Sequence, residues 1–172
     1  MLTFVRHLAA VLLLPVVMTV LVPRWALRAW EVSDTRWTSG SSSEMVARVV
    51  AAILFALGIA LFAWCIALFA RVGQGTLAPW DPTQNLVAVG PYRHSRNPMI
   101  TSVVAIIAAQ ALFLGSRVLG IWCAVFASFN HLYFLVSEEP GLRARFGERY
   151  DEYTRAVPRW LPRFTPWRGN EV

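Results

Sequence analysis

Two polar stretches of this chain border long apolar segments. Residues 90–98 read Gly-Pro-Tyr-Arg-His-Ser-Arg-Asn-Pro, and Glu138 and Glu139 stand together where a later apolar segment ends. Charged side chains are costly beside a bilayer, so they usually lie there for binding or for chemistry. The two stretches therefore predict a polar site at one face of a membrane.

The first stretch is typical of the start of a helix. Pro98 suits a first helical turn, because the backbone N–H that proline lacks has no partner there. The N–H groups of such a turn attract anions, and Arg93 and Arg96 would reinforce that attraction. The alternative is an ordinary helix start whose arginines reach toward lipid phosphates, and the stretch alone favours neither.

The second stretch is preceded by a histidine on the same helix face. His131 lies two helical turns before Glu138, so their side chains point the same way. A histidine inside an apolar helix, aligned with a carboxylate at its end, suggests a polar cavity. The alternatives are a histidine that only holds a neighbouring helix, and glutamates that stabilise a helix N-terminus.

The composition indicates a membrane protein. The chain has 172 residues, of which 56% are hydrophobic and only 15% charged, with a mean hydropathy of +0.49. All 16 basic residues are arginine, and the net charge is +6. Many of them follow the last apolar segment: Arg143, Arg145, Arg149, Arg155, Arg159, Arg163 and Arg168. Arginines in that position suit anionic headgroups, so we predict membrane lipids and no nucleic acid as partners.

The two cysteines give no sign of a metal site or a disulfide. Cys65 and Cys123 both lie inside apolar segments and have no spacing typical of either. We predict that they act as small buried side chains, and that the chain has no metal site.

Four apolar segments predict an all-α integral membrane fold with about four transmembrane helices. The segments cover residues 2–22, 45–70, 99–114 and 118–136. About 20 helical residues cross the hydrocarbon core of a bilayer. Only residues 115–117 separate the last two segments, and so short a connection favours an antiparallel helical hairpin.

The hairpin and the arginines predict the topology. A hairpin returns the chain to the side it left, so residues 71–98 and the tail share one face. The arginine-rich tail makes that face cytoplasmic, which with four spans places both termini on the cytoplasmic side of an inner or plasma membrane. We expect the first segment to be a retained anchor, because residues 23–25 offer no small-residue cleavage site.

The tail combines an amphipathic helix with an extended end. Leu142, Phe146, Tyr150 and Tyr153 form one stripe of a helix that starts near Pro140, and we expect this helix to lie along the inner membrane surface. Two prolines then enforce extended backbone over residues 157–162. We predict one domain, with N-terminal helices over 1–70, a cofactor-binding core over 71–163 and a tail over 164–172.

Several short motifs resemble those of the isoprenylcysteine carboxyl methyltransferase and phospholipid methyltransferase superfamily. They are Gly-Thr-Leu-Ala-Pro-Trp at 75–80, the run at 90–98, Glu-Glu-Pro-Gly-Leu at 138–142 and Val-Pro-Arg-Trp-Leu-Pro at 157–162. The resemblance covers roughly residues 71–163, and the order and spacing of the motifs make it specific. The family's usual Arg-His-Pro-x-Tyr stands here with Asn97 in place of histidine and Ile100 in place of tyrosine.

The resemblance implies a multi-span helical enzyme that uses S-adenosyl-L-methionine. Its acceptor would be hydrophobic or lipid-like: a phospholipid amine, an isoprenoid carboxylate or a thiol. The expected cofactor-binding residues are Tyr92, Arg93, Arg96, Asn97, Pro98, Glu138 and Glu139. The expected substrate-binding residues are Tyr133, Tyr153 and Trp160. The expected catalytic residues are His131, Arg96 and Glu138.

The chemistry of the cofactor agrees with this set. Its carboxylate would meet Arg93 or Arg96, and its ammonium would meet one of the two glutamates. Its sulfonium would face the ring of Tyr92, Tyr133 or Trp160. Asn97 still donates and accepts hydrogen bonds, and His131 is the candidate for accepting a proton from the acceptor.

Two other functions fit the same pattern less completely. One is a nicotinamide-dependent membrane reductase of the sterol-reductase type, from which the chain differs in span count and tail motifs. The other is a non-catalytic membrane protein whose polar residues only bind lipid or a partner. The sequence indicates no oligomeric state.

Overall fold

The regular structure of the chain is helical. The structure, a computed structural model, describes residues 15–30, 37, 40–73 and 85–169. Within these ranges every regular element is a helix and no strand occurs. The prediction of an all-helical chain is confirmed for this part of it.

Six α-helices follow one another along the described chain. They are α1 (Val22–Ala29), α2 (Ser42–Leu68), α3 (Pro98–Leu114), α4 (Arg117–Tyr133), α5 (Glu139–Phe146) and α6 (Glu148–Ala156). Three π-helical turns adjoin them, at Val17–Leu21, Phe69–Gly73 and Phe134–Glu138, and a 3₁₀ turn covers Gly90–Arg93. Because the turn Phe134–Glu138 joins α4 to α5 without a break, these elements form one helix from Arg117 to Phe146.

Two helical stretches of the described chain are long and apolar enough to cross a membrane. They are Ser42–Gly73, with 32 residues, and Arg117–Phe146, with 30. Only 17% of the apolar window of each is buried, so their apolar side chains face outward, as is typical of lipid-facing helices. They contain the predicted segments 45–70 and 118–136, and the second continues to Phe146, well beyond the predicted end at residue 136. The predicted segment 99–114 forms the shorter apolar helix α3, and most of the segment 2–22 lies outside the described residues.

The chain divides into two compact units. The first comprises Met1–Ala60 and Ser102–Ser128, and the second comprises Leu61–Thr101 and Phe129–Val172. This division does not follow the boundaries of the three predicted parts of the chain, and the organisation as one domain stays a prediction.

Close helix contact and long-range hydrogen bonds hold the first unit. A Cβ atom on Gly58 of α2 would lie 2.9 Å from Ile106 Cγ1 and 3.2 Å from the carbonyl oxygen of Ser102, both on α3. Only glycine permits this approach, as is common where helices pack in lipid. Three side chains of this unit also donate hydrogen bonds to backbone carbonyl oxygens far away in sequence. They are Trp37 Nε1 to Leu112 O (2.8 Å), Gln110 Nε2 to Thr19 O (2.9 Å) and Trp122 Nε1 to Met18 O (3.1 Å).

The tail of the second unit contains two short helices, α5 and α6. The prediction of one amphipathic helix in the tail was wrong. Gly147, with φ of +55°, separates α5 from α6. This backbone conformation is not helical, and residues other than glycine rarely adopt it. The apolar stripe packs on the protein itself. Tyr150 and Tyr153 are buried with Val157, against Leu86, Ala88, Leu142, Phe146, Ala156 and Trp167.

The contact at Gly58 predicts a large difference between two glycine substitutions. We expect Gly58→Ala to lower the free energy of unfolding by about 1–3 kcal/mol, because the new methyl group overpacks the contact with α3. The matched control is Gly120→Ala in α4, where an added Cβ meets nothing within 4 Å. That variant should be neutral or more stable, since alanine favours a helix by up to about 1 kcal/mol. Thermal unfolding in detergent measures both, and equal midpoints would contradict the close contact.

Alkaline pH is expected to destabilise the cluster around the buried tyrosines. Burial raises the pKa of Tyr150 to about 12 and raises the pKa of Tyr153 well above its ordinary value. An unfolded tyrosine has a pKa of about 10. The folded state therefore retains protons that the unfolded state loses, and this contribution to stability is complete below about pH 10 and lost above it.

The measurement is the unfolding midpoint at about pH 9 and about pH 11. Tyr150→Phe should lose less stability across this interval than the wild type, because it removes one of the two groups. The control is Tyr133→Phe, whose ring is exposed. A loss as large in Tyr150→Phe as in the wild type would show that other groups cause the pH dependence.

Candidate active site

The run at 90–98 forms a 3₁₀ turn followed by the start of α3. Gly90 has φ of +55°, and a Cβ atom there would lie 3.0 Å from Leu68 Cδ1 and 3.3 Å from Trp64 Cζ2. Conformation and close approach therefore both require glycine. Pro98 is the first residue of α3, as predicted, and the carbonyl of Asn97 accepts from the backbone N–H and the hydroxyl of Thr101 (3.0 and 2.9 Å).

A segment without helix after α6 lies across this run; we call residues 157–167 the C-terminal strap. Hydrogen bonds between the two segments hold it there. They include Arg96 N to Pro158 O (2.9 Å), Ser95 Oγ to Arg159 O (2.9 Å), Arg163 N to His94 O (2.9 Å) and Trp167 N to Arg93 O (3.0 Å). Val157 has the extended backbone predicted for residues 157–162. No helix follows Ala156 in the described tail, but several of the later residues form bends, so extended backbone over the rest of 157–162 stays a prediction.

The strap and the run line an open cavity of about 500 Å³, a size typical of small-molecule sites. Its walls are mostly apolar, and they include the indoles of Trp64 and Trp160. The lining residues are Leu61, Trp64, Gly90, Pro91, Arg93, His94, Ser95, Pro98, Thr101, Trp160, Pro162 and Pro166. A cation and an imidazole thus face a space with largely apolar walls.

His94 lines this cavity in a defined tautomer. Its Nδ1 lies 2.7 Å from the carbonyl oxygen of Arg163. A carbonyl only accepts hydrogen bonds, so Nδ1 carries the proton, and Nε2 of the neutral ring holds the lone pair. His94 therefore has one nitrogen fixed by the strap and one that is able to accept a proton.

His131 has the opposite tautomer and does not line the cavity. Trp160 Nε1 donates to His131 Nδ1 at 3.1 Å, and their ring centroids are 6.3 Å apart. Because the indole only donates, Nδ1 of His131 holds the lone pair and Nε2 of the neutral ring carries the proton. Phe134 also contacts the indole, with ring centroids 5.7 Å apart. His131 and Phe134 thus fix Trp160, which does line the cavity.

Arg96, Glu139 and Arg159 form an ion-pair cluster. Glu139 accepts from Arg96 Nη1 (2.9 Å), from Arg159 Nε (2.7 Å) and from Arg159 Nη2 (2.9 Å). The side chains of Arg96, Glu139 and Arg159 are only 13%, 15% and 19% exposed. The two-bond contact with Arg159 is the strong planar geometry of guanidinium and carboxylate, and it joins the strap to the first residue of α5, within the helix Arg117–Phe146.

Two polar groups beside this cluster lack partners in the described chain. Glu138 is half-buried at the end of the π turn, and within residues 15–30, 37, 40–73 and 85–169 it has no hydrogen bond or ion pair. Arg96 Nε is buried, and no acceptor for it lies among those residues. Buried polar groups normally have partners, so each requires an explanation such as a ligand.

The predicted aromatic residues are distributed over three environments. Tyr92 and Tyr153 are buried in the protein, where the Tyr153 hydroxyl donates to the carbonyl of Tyr92 at 2.7 Å. Burial raises the pKa of Tyr92, and Cys65, Tyr153 and Glu138 add to the shift. Tyr133 is 44% exposed. Of the predicted aromatic residues only Trp160 lines the cavity.

Sequence reasoning missed three residues of the site. His94 and Arg159 stand inside the motifs quoted above, so the signal was present but no role was assigned to either. Trp64 stands in an apolar segment, where an aromatic residue is ordinary. Both cysteines were predicted to be small buried side chains. Cys65 is buried, as predicted, whereas Cys123 is only half-buried.

Comparison with protein families decides the identity of the chain. The family model described as phospholipid methyltransferase matches residues 46–149, which is more than half of the sequence. The chain belongs to the phospholipid methyltransferase family. The match includes the run at 90–98 and both glutamates, and it ends before the strap. No match was found among curated proteins.

Family membership supports the coarse features of the sequence-based function. Members of the phospholipid methyltransferase family are methyltransferases that act on lipid-like substrates, and they generally use S-adenosylmethionine. The family belongs to the superfamily that the sequence motifs resemble. The apolar helices and the family together indicate a membrane protein.

The ion-pair cluster predicts a large stability loss on removal of its single carboxylate. Glu139→Gln leaves Arg96 and Arg159 without a counter-charge, which in a fully buried site costs about 3–5 kcal/mol. Because these side chains retain some exposure, we expect a loss of about 2–3 kcal/mol in the free energy of unfolding. Chemical unfolding of the purified protein in detergent measures this loss.

The matched control is an exposed ion pair on the same tail. Asp151 accepts from Arg143 Nε at 2.6 Å, and their side chains are 35% and 57% exposed. Asp151→Asn should cost less than about 1 kcal/mol. Equal losses in the two variants would mean that the cluster does not hold the strap.

Proposed function

We propose that this protein transfers a methyl group from S-adenosyl-L-methionine to a lipid-like acceptor in the cavity beneath the C-terminal strap. The observation that carries the proposal is the lining of that cavity. It combines a guanidinium, an imidazole with an available lone pair and two indoles with otherwise apolar walls, in a chain whose family consists of methyltransferases.

The charges of the site fit the cofactor. S-adenosylmethionine has a carboxylate, an ammonium and a sulfonium, and the site provides a group of suitable character for each. Arg93 lines the cavity and would bind the carboxylate, together with Nε of Arg96. Glu138, which has no ion pair in the described chain, would bind the ammonium, and the indole faces of Trp64 and Trp160 would stabilise the sulfonium.

Glu139 has a different role from Glu138 in this proposal. Its two oxygens already accept three hydrogen bonds from two arginines, so it holds the site together. Asn97 likewise acts through its backbone carbonyl, which accepts the first hydrogen bonds of α3. Both are positioning residues here, whereas Arg93 and Glu138 bind the cofactor.

The bound cofactor supplies an electrophilic methyl group. The apolar walls of the cavity exclude water and hold the acceptor in line, and positioning of this kind provides most of the acceleration in a displacement reaction. Leu61, Trp64 and the prolines of the strap suit the hydrocarbon part of an acceptor. A phospholipid amine is the acceptor that the family description favours.

The proton of such an amine must leave before the nitrogen can attack. His94 is the residue of the cavity placed to accept it, because its Nδ1–H is bonded to the strap and its Nε2 holds a lone pair. His131, the sequence-based candidate, has its Nδ1 lone pair engaged by Trp160. We therefore assign proton acceptance to His94 and the positioning of Trp160 to His131.

The membrane arrangement is also a proposal. We infer four spans formed by residues 2–22, 45–70, 99–114 and 118–136, the last two as an antiparallel hairpin. Both termini would be cytoplasmic, because the seven arginines after the last apolar segment follow the positive-inside rule. The cavity then opens at the cytoplasmic face of the membrane.

Cofactor binding tests the role of Arg93. We expect Arg93→Ala to weaken the binding of S-adenosylmethionine to pure protein by about 10–100-fold, the effect of one charged hydrogen bond. Decarboxylated S-adenosylmethionine lacks the group that Arg93 would bind, so its affinity should change little between wild type and variant. Arg149→Ala, at an exposed arginine of the tail, is the control and should bind both ligands like the wild type.

Three outcomes of this titration would contradict the proposal or the role of Arg93. No binding of S-adenosylmethionine to the wild type at millimolar concentration would exclude the methyltransferase function. Displacement of the bound cofactor by a reduced nicotinamide dinucleotide would favour the reductase alternative. An equal loss of affinity for both ligands in Arg93→Ala would show that Arg93 supports the fold of the site instead.

Methyl transfer tests the two histidines. We expect labelled methyl from S-adenosylmethionine in the phospholipid fraction of cells that express the protein, and a strong reduction in His94→Gln. The reduction should become smaller at alkaline pH, where the acceptor amine loses its proton to solvent. His131→Gln is the control, because its amide oxygen still accepts from Trp160. Loss of activity in His131→Gln but not in His94→Gln would mean that His131 accepts the proton of the acceptor amine.

A further inference from the structure

The C-terminal strap has one side in the cavity and another that is fully exposed. Trp160, Pro162 and Pro166 line the cavity, whereas Leu161 is 81% exposed and Phe164 is completely exposed. Two large apolar side chains of the strap are therefore left without protein around them.

The strap lies against a helix that is long and apolar enough to cross a membrane. Trp160 contacts Phe134 and His131, both within the candidate span Arg117–Phe146. Near that contact the outer face of the helix is also apolar and exposed, with Leu132 at 60% and Val136 at 78% exposure. The strap thus contacts one face of a candidate span, and other faces of that span carry exposed apolar side chains.

The backbone of the strap suits a partly dehydrated position. Unpaired N–H groups are costly in the apolar part of a bilayer. Pro162 and Pro166 have no N–H, and the N–H groups of Arg163 and Trp167 donate to carbonyls of the run at 90–98. Residues 162, 163, 166 and 167 therefore present no unpaired backbone N–H group.

The charge of the tail indicates the kind of membrane surface. Arg155 and Arg168, at the two ends of this region, are exposed, and arginines beside apolar anchors attract anionic headgroups. The apolar stripe of α5 and α6 cannot serve as the membrane anchor predicted from sequence, because Tyr150 and Tyr153 are buried in the protein.

We propose that the C-terminal strap docks on an anionic membrane surface by inserting Leu161 and Phe164 at the boundary between headgroups and acyl chains. The same segment then forms the wall of the cavity and the contact with the membrane. Docking therefore brings the cavity to the depth at which lipid headgroups lie. This surface does not depend on the proposed methyl transfer, since it follows from the exposure, the span contact and the charge of the strap.

Spin labels on the full-length chain test the docking directly. Single cysteines, introduced as Leu161→Cys or Phe164→Cys in a Cys65→Ala/Cys123→Ala background, carry a nitroxide in vesicles of phosphatidylglycerol and phosphatidylcholine. Collision with oxygen, which concentrates in the bilayer, is compared with collision with a water-soluble nickel chelate. We expect the ratio of oxygen to nickel collisions to be several-fold higher at 161 and 164 than at the control Glu152→Cys, an exposed position of α6.

Two results would overturn the proposal. One is a collision ratio at 161 and 164 equal to that at 152, which would mean that the strap lies in water. The other is spectral broadening between labels that disappears on dilution with unlabelled protein, which would mean that a second copy covers the strap. Because the readout is depth and not turnover, failure of methyl transfer would leave it unaffected.

Discussion

The ion pair between Glu139 and two arginines is the interaction on which the candidate site depends. Arg96 belongs to the run before α3, Arg159 belongs to the C-terminal strap, and Glu139 begins α5 at the end of a candidate span. One carboxylate thus joins three segments that are far apart in sequence. A shielded ion pair contributes little net stability compared with apolar packing, but loss of one partner is costly. Its effect here is to fix one arrangement of the three segments.

The cavity follows from that arrangement. With the strap fixed, backbone and side-chain hydrogen bonds from Ser95, Arg96 and Arg163 close it over the run. The strap also sets the chemistry of the cavity. It holds the Nδ1–H of His94 through the carbonyl of Arg163, and it presents Trp160, whose indole is fixed by His131. A segment without regular structure therefore determines which imidazole nitrogen is available.

The two adjacent glutamates illustrate how neighbours in sequence acquire different roles. Glu139 is satisfied by two guanidinium groups, whereas Glu138 has no such partner in the described chain. The π-helical turn Phe134–Glu138 precedes the pair, and turns of this kind are frequent at functional sites. Of two adjacent carboxylates, one thus holds three segments together, and the other makes no such contact in the described chain.

The sequence by itself determined the helical class, two apolar stretches of membrane length, the helix start at Pro98 and the family. These properties follow from local patterns: runs of apolar residues, the missing N–H of proline, and short motifs in a fixed order. The tertiary structure alone decided that His94 and not His131 lines the cavity, that Glu139 is engaged while Glu138 is not, and that the tyrosine stripe packs inward while Leu161 and Phe164 stay exposed. The physical reason is that the tautomer of a histidine, the pairing of a carboxylate and the burial of an apolar side chain are set by their partners. Those partners lie tens of residues away, and only the packed chain brings them together.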